Sequence, residues 1–526
     1  MPFDPRHNVI HTADGRLAPN APTTAADVRR IVGEALAANA ASGIVLNFHG
    51  GLVSAPDALA TAQQRLYPLY AQRAHAYPIF FVWESGFFEA PLGNLEEIAR
   101  EALFQEFVKK AGEWVVKKLS PGLTGAVRLG AGADAAKTFR SDLDAWFRTG
   151  RARRRLAPRL RDFGGAKPRS RMNGIARAVP LALPPLDREA LAIEIDRSIR
   201  ADERFQAAVH EARAGLHPQR RAVRMARGGG SRISTTSLLD KEAAARLFPP
   251  AKRRVTELAL ADWIHVARVV ADIVIRVLRR VRTGRDHGKY VTIVEEVLRE
   301  LYVGKIGRIG WWDRMKGDTA DAFRQGEEYG GTVLLEALHD ALEGGANVPR
   351  ITLIGHSTGA IYIGHFLEAA AQRVPDVSFD VVLEAPAATH DFLARVLSEH
   401  GSRIANFRLF GMNDARERAD VLVPVIYPAS LLYFVSGLLE DEPDQPIAGM
   451  QRYLADGTFD ADRFPNVEAC REFFARYEEA LVWSPRSGPP GCASDGAHHQ
   501  DFDDVDAETL SSVEFILRKG YSTKGG

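Results

Sequence analysis

The five residues Gly355-His356-Ser357-Thr358-Gly359 limit the folds open to this chain more than any other feature of its sequence. An apolar, β-branched run at 351–354 comes directly before them and predicts a buried strand. The run at 360–370 follows them and predicts a helix. In a strand-to-helix turn of the G-x-S-x-G pattern the serine hydroxyl is exposed, and the glycines stand where a Cβ would clash. We therefore predict that Ser357 is catalytic; the alternative is a tight turn without chemistry.

The composition is that of an ordinary soluble protein. With 526 residues, 46% of them hydrophobic, the chain can bury a large core and form roughly two to four domains. A net charge of +1 gives no general reason to expect nucleic-acid binding. The two cysteines, Cys470 and Cys492, are too few for a disulfide framework, which favours a reducing compartment.

The sequence also predicts a cytoplasmic protein without a membrane span. The first residues lack the charged segment and apolar stretch of a signal peptide. The longest apolar run, at 258–281, is interrupted by charged residues and a histidine every three or four positions. That spacing predicts an amphipathic helix.

The first part of the chain alternates helices with strands. We predict a helix at 24–39 with Thr23 or Thr24 as its N-cap, and a buried strand at 43–48. A helix at 57–75 and a strand at 78–83 follow. This alternation is typical of a parallel sheet.

The middle of the chain, from about 87 to 316, predicts helices and no convincing strand. The predicted helices lie at 95–119, 187–214, 240–247, 252–282 and 292–301. Two arginine-rich stretches, 148–171 and 213–232, predict exposed and partly flexible loops. The apolar face of helix 252–282 belongs either to the core of this segment or to an acyl-chain tunnel or lipid-surface lid.

The α/β pattern resumes in the last part of the chain. Helices are predicted at 318–342, 360–370 and 507–518, and strands at 351–354, 379–384 and 404–410. The simplest architecture is one α/β sheet domain formed by 1–92 and 317–526. Residues 93–316 then form a large helical, arginine-rich insertion between two sheet strands.

Over residues 20–90 and 318–520 the chain resembles the α/β-hydrolase fold family. Three motifs carry the resemblance: His49-Gly50-Gly51-Leu52 after the early strand, the serine turn, and a late histidine before the final helix. The resemblance implies a mostly parallel sheet with an α-helical cap inserted between its strands. It also implies catalytic residues in the chain order serine, acid, histidine.

The resemblance further implies an oxyanion hole made of two backbone N–H groups. One belongs to Thr358, after the serine, and the other to Gly51, with Leu52 as the neighbouring option and His49 and Gly50 in support. Such donors stabilise the negative oxygen of a tetrahedral intermediate. The alternative is that His49-Gly50-Gly51 is an ordinary turn after a strand.

The base and the acid are assigned from the same resemblance. The family often places its histidine three residues before an aromatic residue, which selects His499 and leaves His498 as the alternative. The acid is expected soon after strand 404–410, which selects Asp414, with Asp420 and Glu417 as rivals. Its task would be to orient the imidazole and stabilise its protonated form.

Three further histidines, His356, His365 and His390, are expected to be structural. His356 is expected to pack beside the site, within the serine turn. The other two lie on the helix after the serine and after strand 379–384.

These assignments predict a serine hydrolase that cleaves a carboxylic ester, with a lipid or other apolar acyl group favoured by the large insertion. No metal or cofactor is required. The alternatives are an amidase, thioesterase or acyltransferase on the same triad, or a non-catalytic protein of this fold that binds a partner. The arginine-rich insertion would then contact a membrane surface or a protein; few aromatic residues interrupt it, so base stacking with nucleic acid is not expected.

Overall fold

The structure is a computed structural model, and a mostly parallel sheet organises it. It describes residues 2–17, 23–51, 53–84, 89–119, 140–141, 143–144, 147, 186–216, 237–249, 263–304, 311–424, 426–455 and 458–521. Leu52 and, apart from Arg213, the arginines of both basic stretches lie outside the described residues.

The sheet has eight strands in the order β2-β1-β4-β3-β5-β6-β7-β8. They are β1 Val9–Ala13, β2 Arg16–Leu17, β3 Ile44–Phe48, β4 Tyr77–Glu84, β5 Ile351–His356, β6 Phe379–Glu384, β7 Ile404–Met412 and β8 Leu481–Ser484. All neighbouring pairs are parallel except β1 and β2, which are antiparallel. The prediction of a parallel α/β sheet is confirmed.

Helices cover both faces of this sheet. In β3 and β5, Leu46 and Leu353 belong to the core on one face, whereas Val45 and Ile354 belong to the core on the other. This alternation follows from the two-residue period of a strand. The described helices and helical turns of the two sheet segments are Pro5–Asn8, Ala25–Ala37, Ala55–Thr61, Ala62–Leu66, Pro68–Arg73, Asp313–Asp321, Gly330–Glu343, Gly359–Arg373, His390–His400, Gly401–Arg403, Asp414–Ala419, Leu431–Phe434, Val435–Leu439, Gln451–Leu454, Pro465–Phe474, Asp501–Asp504 and Ala507–Lys519.

Local sequence explains several helix boundaries. Thr24, one of the two predicted N-caps, caps the helix Ala25–Ala37 and forms a capping box with Asp27. The single helix predicted at 187–214 is two helices, because the Asp202 side chain accepts from the backbone N–H of Phe205 and starts a second one. The helix predicted at 318–342 is also two, separated by residues 322–329, where Gly326 has a φ of 131°.

The segment between β4 and β5 is helical in its described part, as predicted. Its helices are Glu89–Arg100, Ala102–Leu119, Arg188–Arg200, Glu203–Gly215, Lys241–Leu247, Trp263–Arg282 and Lys289–Leu301. The apolar face of Trp263–Arg282 is buried against three of these neighbours, which makes it part of a core within the segment. Among the described residues, no helix is both long and apolar enough to cross a membrane.

A buried polar network joins this helical segment to the chain after β7. The ring of His287 lies 2.7 Å from Glu295 and 2.8 Å from Asp444, and all three side chains are fully buried. Tyr427 donates to the same Glu295 carboxylate at 2.5 Å. Because each group has partners, the network attaches the helical segment to the chain after β7.

Candidate functional site

Ser357 lies in a strained turn at the carboxyl end of β5, a central strand of the sheet. Its φ is 55°, a left-handed conformation that costs a non-glycine residue about 1–3 kcal/mol. The loop after β6 holds the turn: the Ser357 N–H donates to Glu384 O at 2.8 Å, and the Ala387 N–H donates to Ser357 O at 2.9 Å. The helix Gly359–Arg373 begins directly afterwards, so its positive dipole end lies beside the serine.

The close approach of this helix to β3 explains the second glycine of the motif. A Cβ on Gly359 would lie 2.2 Å from the carbonyl oxygen of Phe48, and one on Gly355 would lie 2.8 Å from the carbonyl carbon of Gly359. No side chain fits at these distances. The steric role that the motif predicts for its glycines is therefore present in this structure.

The loop after β3 packs directly against the serine turn. A Cβ on Gly50 would lie 3.2 Å from Ser357 Cβ, and one on Gly51 would lie 2.7 Å from Thr358 Oγ1. The structure thus brings Gly51 and Thr358 together, the two residues predicted to supply oxyanion donors. Met315 covers this loop, because a Cβ on Gly51 would lie only 2.1 Å from its Sδ.

His49 anchors that loop to β4. Its Nε2 accepts from the Trp83 backbone N–H at 3.1 Å, and Trp83 Nε1 donates to the His49 carbonyl at 3.2 Å. Nδ1 therefore carries the proton and donates to Gly50 O at 2.8 Å. Burial lowers the pKa of His49 to about 4, so the ring is neutral and structural at neutral pH.

His499 is buried beside the serine turn. Its ring centroid is 5.0 Å from that of His356, the residue next to Ser357. Among the described residues neither of its ring nitrogens has a hydrogen-bond partner. Burial, followed by the charge of His356, places the pKa of His499 well below its ordinary value. The ring is therefore neutral, and both of its nitrogens are open to a proton or a further partner.

His498 points the other way. Its side chain is 67% exposed, and its Nδ1 lies 2.9 Å from Asp420 Oδ1. The hydrogen bond with Asp420 raises the pKa of His498. Of the two adjacent histidines, the structure brings His499 to the serine turn and leaves His498 in solvent.

The structure does not bring Asp414, the predicted acid, to either histidine. Its carboxylate accepts from Tyr433 Oη at 2.5 Å and from Arg418 Nε at 2.8 Å, and no contact with His499 occurs among the described residues. The physical reason is that Asn413 caps the helix Asp414–Ala419, which places Asp414 in the first turn, facing these two partners.

Asp420 is the acid that reaches the histidine loop. One of its oxygens accepts from the His499 backbone N–H at 3.1 Å, and the other bonds the His498 ring. It thus holds the backbone of His499 and leaves the ring free. Glu417 is fully buried against Ser430, and burial raises its pKa well above the ordinary value.

Two further residues join the site, His356 and Asp503. His356 Nδ1 lies 3.2 Å from Asp503 Oδ2, and His356 Nε2 lies 3.0 Å from the carbonyl oxygen of His499. Sequence reasoning assigned His356 a packing role and gave Asp503 none. The signal that was available is the acidic run 501–504, which directly follows the histidine pair.

A small polar cavity of about 260 Å³ opens beside these side chains. Its polar lining consists of Asn47, His49, Asp57, Thr61, His356, Gln500, Asp503 and Asp504. No group of three or more histidine, cysteine, aspartate or glutamate side chains in the described part of the chain could hold a metal ion. The cavity reaches His356 and Asp503, but Ser357 and His499 are not among its lining residues.

No protein-family model, curated protein or solved structure matches this chain. The interpretation of the site therefore depends on its geometry.

Proposed function

We propose that this protein is a serine hydrolase of the α/β-hydrolase type that cleaves a carboxylic ester through an acyl-enzyme. The observation that carries the proposal is that Ser357 stands in a left-handed turn at the end of a central parallel strand, while the buried, unpartnered ring of His499 lies 5.0 Å from the ring of His356, the residue next to Ser357. The strand order and the helical segment between β4 and β5 support a hydrolase sheet with a cap.

In the proposed reaction the Ser357 hydroxyl attacks the ester carbonyl while His499 takes its proton. The protonated His499 then gives this proton to the leaving alcohol, and water releases the acyl group by the reverse sequence. The lowered pKa of His499 keeps the ring neutral before attack, so it can take a proton, but it also makes the ring a weaker base than an ordinary histidine. We propose Asp420 as the acid that orients this base, in place of Asp414, on the strength of its bond to the His499 backbone.

Backbone N–H groups of Gly51 and Thr358 are the proposed oxyanion donors. Both residues lie in the contact between the loop after β3 and the serine turn. The positive end of the helix Gly359–Arg373 adds to their effect, because it favours negative charge at this position. Removing one such donor in other enzymes costs roughly 10²–10³ in rate.

The proposed substrate carries a lipid or other apolar acyl group. Met315 lies over Gly51, and Trp312 on the same stretch is also buried, so the cover nearest the proposed oxyanion donors includes apolar side chains. The chemistry needs no metal or cofactor. Amide, thioester and acyl-transfer reactions would use the same groups, and a panel of matched esters, thioesters and amides distinguishes them.

A fluorophosphonate probe tests the proposal directly, because it reacts with an activated serine. We expect labelling of the wild-type chain and none of Ser357→Ala, together with a loss of ester turnover of roughly 10⁴-fold or more. Ser398→Ala is the matched control, since Ser398 is exposed and, among the described residues, its hydroxyl donates to the Arg395 carbonyl. Equal labelling of Ser357→Ala and the wild type would remove Ser357 from the mechanism.

One observation favours a second candidate, a non-catalytic protein of this fold that binds a partner. No carboxylate among the described residues bonds the ring of His499, whereas in a Ser-His-Asp triad the acid bonds the imidazole. This candidate predicts that the wild-type chain does not react with the probe. Labelling at Ser357 therefore decides between the two.

A further inference from the structure

We infer that His356 and Asp503 are positioning residues: an imidazolium–carboxylate pair that clamps the base-bearing loop to the serine turn by holding the His499 carbonyl. The inference rests on the proposed function, because it assigns these residues the task of placing the base of that reaction. His356 is the last residue of β5 and directly precedes the nucleophile, so one side chain connects the serine turn to the loop that carries the base.

The surroundings of His356 favour a ring in which both nitrogens carry protons. The His499 carbonyl oxygen, 3.0 Å from Nε2, can only accept a hydrogen bond, so Nε2 carries a proton. The Asp503 carboxylate lies 3.2 Å from Nδ1 at ion-pair distance, without the geometry of a hydrogen bond. A neutral ring protonated at Nε2 would turn the lone pair of Nδ1 toward this carboxylate. The charged ring avoids that repulsion, and its charge is balanced by Asp503.

The groups around His356 support this charge state. They are Asp503 on Asp501–Asp504, Glu384 at the end of β6, His49 after β3, and His499. Burial opposes the charge, but the nearby Asp503 outweighs it, and the pKa of His356 is raised to about 9. Burial, with Asp503, raises the pKa of Glu384 to about 8, and His49 is neutral, so one imidazolium faces one carboxylate at neutral pH.

The clamp completes a two-sided hold on the base. Asp420 accepts from the His499 N–H at 3.1 Å, and His356 donates to the carbonyl of the same residue. The backbone is thus fixed on both sides while the ring nitrogens stay free. The imidazolium also lies 5.0 Å from the His499 ring, where its charge disfavours protonation of the base.

Two variants separate this role from simple packing. His356→Ala removes the hydrogen bond to the His499 carbonyl and the ion pair with Asp503, and we expect kcat to fall about 100-fold, the loss that a misplacement of about 1 Å can cause. His356→Gln keeps an uncharged donor for the His499 carbonyl, so it should recover part of kcat. In His356→Gln the acid limb of the pH profile of kcat/KM should move to higher pH, because the positive charge beside His499 is gone. Identical acid limbs in His356→Gln and the wild type would overturn the inference.

Imidazole NMR of the histidine-labelled chain tests the clamp without any substrate. The His356 signals, assigned by their loss in His356→Gln, should remain those of a charged ring at pH 8. In Asp503→Asn the His356 ring should lose its charge at a lower pH than in the wild type. Asp504→Asn is the matched control and should leave the titration of His356 unchanged, since Asp504 is 45% exposed and pairs with Arg65. A neutral His356 ring at pH 7 in the wild type would overturn the clamp, even if the fluorophosphonate labels Ser357. If the fluorophosphonate does not label Ser357, the proposed function is refuted, even if the His356 ring is charged.

Discussion

Gly359→Ala probes the contact on which the serine turn depends. The added Cβ would lie 2.2 Å from the Phe48 carbonyl oxygen, and an ordinary contact begins at 3.4 Å. The obstacle is backbone on β3, so either the helix start or the strand end must move by about 1 Å. Overpacking of this kind costs about 1–3 kcal/mol, and we expect a value near the upper end because no flexible side chain can yield.

The same displacement carries Ser357 away from its partners. A misplacement of about 1 Å can cost roughly 10²-fold in rate, so fluorophosphonate labelling of Gly359→Ala should slow by about that factor. Urea unfolding measures the loss of unfolding free energy, and timed fluorophosphonate labelling measures the loss of reaction rate. Gly33→Ala is the matched control: Gly33 lies in the helix Ala25–Ala37 with open space at its Cβ, and the change should stabilise the chain by about 1 kcal/mol. If Gly359→Ala were as stable and as reactive as the wild type, the packing argument for this motif would fail.

Two further predictions concern the charges around the histidines. Asp420→Asn should slow fluorophosphonate labelling of Ser357 by about 10–100-fold, the rate equivalent of one charge-assisted hydrogen bond. Asp414→Asn should leave the labelling rate nearly unchanged and lower the Tm, because the Asp414 carboxylate bonds Tyr433 and Arg418. The reverse ranking would return the acid role to Asp414. The raised pKa of His356 predicts stability that is fully present below its ordinary value of 6.5 and lost as pH rises through about 9. The wild-type Tm should therefore fall more between pH 6.5 and 9 than that of His356→Gln, and parallel curves would contradict this sign.

The central part of the fold could be predicted because its signals are local. Strands β3 to β7 are apolar runs next to turn residues, and the serine turn fixes the order strand, turn and helix around 351–373. Three strands were missed, β1, β2 and β8, and the two shortest of them depend on their partners. Arg16–Leu17 is a strand only because it pairs with β1, and Leu481–Ser484 only because it pairs with β7.

The site divides in the same way. The positions of Ser357, Gly51 and Thr358 follow from motifs in which neighbouring residues decide the geometry. The acid depends on how a loop after β7 meets a loop after β8, which no local pattern encodes. Asn413 caps a short helix whose first turn places the Asp414 carboxylate against Tyr433, whereas Asp420, after the end of this helix, bonds the His499 backbone. His356 and Asp503 are 147 positions apart in sequence, so only the folded chain brings their charges together.

The most direct test of the account is mass-spectrometric mapping of the fluorophosphonate adduct in three chains: wild type, His499→Ala and His498→Ala. In the wild type we predict an adduct on the peptide that contains Ser357. His498→Ala should react at a rate close to that of the wild type, because the His498 ring is exposed. His499→Ala should react more slowly by about 10³-fold or more, because the buried base is gone. Equal reactivity of the wild type and His499→Ala, or an adduct on another serine, would contradict the claim that these two residues act together.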